Sequence, residues 1–173
     1  MTDDPEYLYV VDYADDAERK RVEYLFNNWS DGELARPAGV VRLASDVDHA
    51  ALYERLVSKV PEERISAYRL EEGRTDVAPT TRTVERTVPT DADAVETFLE
   101  YMLSKKKAVL QSAAHNEYEL YTKKGRATTT YTLDEGADGT AVTIRIRGYS
   151  DAPAFLAEFF ESELQEYAAS QRS

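Results

Sequence analysis

The sequence has no cysteine, only two histidines, seven glycines and, in 173 residues, only seven lysines. Without cysteine there are no disulfides, no thiolate nucleophile, no iron–sulfur cluster and no cysteine-bound zinc. His49 and His115 stand in no metal-ligand spacing. The scattered glycines build neither a phosphate-cradling P-loop nor a G-x-G-x-x-G turn, and the G-x-S-x-G nucleophile elbow is missing too. No run of about 18 apolar residues occurs, so no membrane-spanning helix is expected. Nor is there a repeat of solenoid or propeller period. These absences leave catalysis without a starting group. No cofactor is expected, and binding is favoured over reaction.

What the chain does have is acid: 33 Asp and Glu against 21 Lys and Arg, a net charge of −12. An apolar fraction of 42% arranged in periodic segments argues for a folded chain in spite of that charge. Acid excess, scarce lysine and abundant Ala, Thr and Val resemble the composition of salt-accumulating halophiles, where dissolved salt screens self-repulsion. The polar, acidic opening Met1-Thr2-Asp3-Asp4-Pro5-Glu6 is the reverse of a secretory signal, and a cytoplasmic location is expected. So acidic a surface does not suit a general binder of nucleic acid or anionic membrane.

The periodicities predict an α+β protein in two parts. Residues 1–71 read as β-α-β-α-β. Strands are expected at 7–13, 40–43 and 65–70. A helix runs from the Asp15/Glu18 capping box to Trp29, with Val22, Leu25 and Phe26 on its stripe. A second, from a Ser45/Asp48 box to Val60, carries Leu52, Tyr53, Leu56 and Val57. Residues 72–82, with Gly73 and Pro79 and no periodicity, read as a linker. Residues 83–173 read as β-α-β-β-β-α, a two-layer sandwich with an antiparallel sheet. Its strands fall at 83–88, 116–121, 127–133 and 140–148, with 134–139 a hairpin loop. A Thr90/Asp93 box opens its first helix, and Pro153 opens the last one. The open face of the sheet would then carry Glu117, Glu119, Tyr121, Thr128, Thr130, Thr132, Arg145 and Arg147, with the acids and arginines neutralising each other across strands.

One window breaks the acidic pattern. Residues 102–132 hold six bases (Lys105, Lys106, Lys107, Lys123, Lys124, Arg126) and two acids (Glu117, Glu119), a net +4 that leaves −16 for the rest. Five of the seven lysines lie between positions 105 and 124. Lysines in the last turn of a helix complement its dipole, and lysines in a turn can simply be solvated. Clustered in a chain that otherwise avoids lysine, they also suit nucleic acid, a ribonucleoprotein or an acidic protein partner. The segment Lys124-Gly125-Arg126-Ala127-Thr128-Thr129-Thr130-Tyr131 matches the RNP1 pattern of RNA-binding domains in four places but lacks two of its stacking aromatics.

The reading is therefore a regulatory or accessory protein, cytoplasmic and not enzymatic, that binds through this window. One alternative is a small-molecule carrier or enzyme. Its apolar pocket would lie between sheet and last helix, lined by Tyr118, Tyr131, Phe155 and Phe159, in a layout that resembles helix-grip pocket folds. The other alternative is an oligomeric structural or interaction protein.

Overall fold

The computed structural model describes residues 6–172; residues 1–5, most of the acidic opening, and residue 173 lie outside it. The chain divides into two units, Met1–Arg74 and Thr75–Ser173.

In the first unit the helices form and the strands do not. Helix α1 spans Asp16–Asn28. The Asp15 carboxylate accepts the Glu18 N–H at 2.8 Å, while Glu18 accepts the Ala14 N–H at 2.8 Å, a reciprocal cap. Helix α2 spans His49–Val57 and is capped by Asp48, which accepts the Ala51 N–H, so Ser45 plays no part in the cap. The strands expected at 7–13, 40–43 and 65–70 are not formed: these segments enter no ladder. A β-branched or aromatic run marks a chain that suits a pleated surface, but it names no partner, and strand propensity without cross-strand packing is weak. Val10 and Val40 are 86% and 85% exposed, and no described residue of this unit is buried.

The second unit holds the core and has mixed helix and strand. Its elements are β1 (Thr80–Val88), α3 (Ala92–Lys105), β2 (Val109–Ser112), β3 (Glu117–Thr122), β4 (Gly125–Gly136), β5 (Gly139–Gly148) and α4 (Ala152–Ser170). The five strands form one antiparallel sheet in the order β1-β5-β4-β3-β2. Alternation along β5 is clean: Val142, Ile144 and Ile146 are buried while Ala141, Arg145 and Arg147 are exposed. Helices α3 and α4 cover the buried face. Val95, Leu99, Met102 and Leu103 come down from α3, and Leu156, Phe160, Leu164 and Ala168 from α4. Each large apolar side chain buried there contributes about 1.5–3 kcal/mol. Phe98 stacks on Tyr167 at 4.0 Å and ties the two helices together.

Four details differ from the sequence reading. β1 starts at Thr80, inside the stretch expected as linker. Strand β2 was not expected; it is only four residues long, follows three lysines and leaves Val109 and Leu110 half exposed, so it carries no alternation to read. Asp91, not Thr90, caps α3, accepting the Ala94 N–H at 2.9 Å, and the Thr90 carbonyl instead accepts the buried Thr140 hydroxyl at 2.8 Å. Finally, the β4–β5 ladder continues to Gly136 opposite Gly139, so the hairpin turns on Ala137-Asp138 alone. Gly139, at φ +122°, passes so close to the Val88 carbonyl that no Cβ fits.

Candidate functional site

The lysine-rich window folds into the end of α3 and the β3–β4 turn. Helix α3 ends in a Schellman motif: the Lys107 N–H bonds the Ser104 carbonyl and the Ala108 N–H bonds the Leu103 carbonyl, each at 2.9 Å. The motif demands a left-handed residue, normally glycine. Here Lys107 takes it, at φ +56°. For a residue with a Cβ this conformation costs about 1 kcal/mol.

The two lysine groups converge on α4. The Lys106 ammonium stands 4.2 Å from the centre of the Phe159 ring and 5.5 Å from that of Phe155, and the Lys123 ammonium comes within 5.4 Å of Phe155 from the other side of the window. These are cation–π contacts between α4 and, respectively, the end of α3 and the β3–β4 turn. Arg126 is neutralised by Glu119 at 3.0 Å. Lys105, Lys107 and Lys124 are exposed and have no ion-pair partner among the described residues of the second unit. Of the six bases, then, five gather at one end of the sandwich without an ion-pair partner among the described residues of the second unit, and one is paired.

The four residues read as pocket lining separate into two pairs. Tyr118 and Tyr131 stack on each other at 6.4 Å. Tyr131 is buried and its hydroxyl donates to Glu96 on α3 at 3.2 Å. Burial first, and the Glu96 carboxylate second, push its phenol far above the ordinary tyrosine range. Phe155 and Phe159 are the rings beneath the lysines, with Phe159 edge-on to Phe160 at 5.3 Å. None of the four lines either of the two depressions found on the second unit. The buried position of Tyr131 also shows why the RNP1-like spelling of 124–131 is not that motif: its last aromatic points into the core, away from the open face.

One of those depressions, about 400 Å³, lies between Arg82 of β1 and the Glu158, Glu161 and Gln165 side of α4. The other was not anticipated as a site. It is a shallow depression of about 480 Å³ on the open sheet face, lined by Arg126, Arg145 and Arg147, by the hydroxyls of Thr81, Thr128 and Thr130, and by Glu117 and Tyr149. The acid–arginine ladder expected here does not form. Strand β4 stands between β3 and β5, so Arg145 faces Thr130 and Arg147 faces Thr128, and neither arginine has an ion-pair partner among the described residues of the second unit. Sequence alternation placed Glu117, Thr128, Thr130, Arg145 and Arg147 on the right face; it gave no face to Arg126, Thr81 or Tyr149. What it lacked was the strand order, which separates Glu117 and Glu119 from Arg145 and Arg147.

Among the described residues no three His, Asp or Glu side chains converge to hold a metal ion, and no helix is long and apolar enough to cross a membrane. Comparison of the chain with protein-family models and with curated proteins returns no match.

Proposed function

We propose that this is a regulatory or accessory binding protein, not an enzyme, whose lysine-rich end contacts nucleic acid or a ribonucleoprotein. The observation that carries the reading is the convergence of Lys106 and Lys123 on Phe155, with Lys105, Lys107 and Lys124 exposed beside them and without an ion-pair partner among the described residues of the second unit. Ammoniums gathered at one end can address several phosphates at once. The left-handed Lys107 adds to it: a lysine held where glycine is cheaper suggests that the side chain is wanted there. We read the acidic remainder of the surface as adaptation to a salt-rich cytoplasm, where it would keep the chain soluble and suppress unspecific contact with polyanions.

The test is a salt titration of binding to a labelled 20-mer of mixed sequence, as RNA and as DNA, over the range in which circular dichroism shows the protein folded. Replacing Lys105, Lys106 and Lys107 by Gln is expected to lower affinity and to make the log–log slope shallower by about 2 to 3. An unchanged slope and affinity overturns the reading. Binding to an acidic protein with none to nucleic acid would transfer the patch to a protein partner.

A further inference from the structure

We infer that the open face of the sheet is a platform for single-stranded nucleic acid, continuous with the lysine-rich end. The inference rests on the proposed polyanion-binding reading and assigns it a ligand class.

The registers fix three rows across the face. Arg126 lies opposite Tyr121 on β3, and Tyr149 lines the same depression beside it. The next row is Glu119–Thr128–Arg147–Thr81, and the third is Glu117–Thr130–Arg145–Thr83. The exposed aromatic beside this face is Tyr149, 55% exposed, which lines the depression together with Arg126. Behind it stand Arg145 and Arg147, which have no ion-pair partner among the described residues of the second unit, and a set of threonines.

Charge argues for an anion. With Arg126 paired to Glu119, the residues lining the depression leave two guanidiniums, Arg145 and Arg147, against the single carboxylate of Glu117, on a chain whose net charge is −12. Arg126 is already satisfied by Glu119, so Arg145 and Arg147, two residues apart on one strand face, are the groups left to meet phosphates. Threonine hydroxyls between them supply neutral donors to phosphate and sugar oxygens.

Shape argues for a single strand. The depression is half-open and borders Arg126 and Ala127, next to the β3–β4 turn; Lys123 of that turn lies over Phe155 on the helix side, so a chain-like ligand reaches the lysine-rich end by passing round the end of the sheet. Exposed tyrosine on a flat sheet offers a stacking surface to splayed bases, which a duplex keeps stacked inside itself. Stacking matters all the more at high salt, where the gain from counterion release shrinks. The face is carried on strands, so the spacing of its groups is fixed by the ladder and not by loops.

The test uses the intact protein and three fluorescent probes, a uridine 12-mer, a thymidine 12-mer and a 12-base-pair duplex, read by anisotropy. The wild type is expected to bind single strands at least tenfold more tightly than duplex. Arg145→Gln with Arg147→Gln is expected to lower single-strand affinity at least tenfold. Tyr149→Ala should lower it about fivefold through lost stacking, and Tyr149→Phe should restore it. These positions are solvent-exposed, and coincident urea midpoints will separate binding from folding. Duplex bound as tightly as single strand overturns the inference. So does unchanged binding in the face variants while the Lys105–Lys107 variant is weakened, an outcome that leaves the lysine-end reading standing. A wild type that binds none of the probes overturns both.

Discussion

The ammonium of Lys106 stands 4.2 Å from the centre of the Phe159 ring, so the residue that caps α3 is also a side chain of the α3–α4 contact. Its aliphatic stem covers apolar surface while its charge meets the ring face. A double-mutant cycle with Lys106→Gln and Phe159→Leu should return a coupling of about 0.5–1 kcal/mol, measured by urea unfolding. Strictly additive single changes would show that the two side chains are merely neighbours.

Lys107 gives a prediction of opposite sign. Glycine adopts its left-handed backbone at no steric cost, so Lys107→Gly should raise stability by about 1 kcal/mol, or roughly 5 °C in Tm for a unit of this size. The same change removes one of the exposed lysines, so polyanion affinity should fall as stability rises. A variant that gains neither stability nor loses affinity would contradict the assignment of Lys107 to both roles.

Thr129 lies on the buried face of β4, 1% exposed, and its hydroxyl has no hydrogen-bond partner among the described residues. Valine has nearly the same shape and no hydroxyl to desolvate. Thr129→Val is therefore expected to stabilise the chain by about 1 kcal/mol, seen as a higher urea midpoint with an unchanged slope.

Tyr131 sets an alkaline limit. A tyrosine in an unfolded chain ionises near pH 10, whereas burial and the Glu96 carboxylate hold the Tyr131 proton to higher pH in the fold. Above about pH 10 the unfolded state sheds a proton that the native state keeps, so the stabilisation is full below that point and drains away as pH rises. Tyr167, raised by burial and by Asp91, acts in the same direction. Urea midpoints of Tyr131→Phe should fall less between about pH 9 and pH 11 than those of the wild type. Equal falls would place the Tyr131 phenol outside the buried environment described here.

The sequence made the second unit largely legible because both of its periods are clean. Val142, Ile144 and Ile146 alternate with Thr143, Arg145 and Arg147, and the α4 stripe from Leu156 to Leu164 keeps helical spacing. The first unit was legible only in its helices, whose caps are local: Asp15 bonds three residues ahead. Its supposed strands depended on partners that local pattern does not specify. At the site, composition found the lysine cluster. It could not find that Lys106 and Lys123 meet on the same phenylalanine, or that β4 intervenes between the acids of β3 and the arginines of β5, since both facts depend on non-local pairing.

Strand order has a consequence for how the chain is made. β1 pairs with β5, Thr80 opposite Gly148, although everything between them in sequence belongs to other elements. On the ribosome β1 emerges first and must wait, unpaired along its whole length, until the last strand of the sheet has been synthesised. The β2–β3 and β3–β4 hairpins can zip up during that interval, but the β1–β5 seam joins residues far apart in sequence, the kind of pairing that forms slowly. During that wait the nascent chain exposes an open backbone edge, the segment that chaperones would be expected to shield.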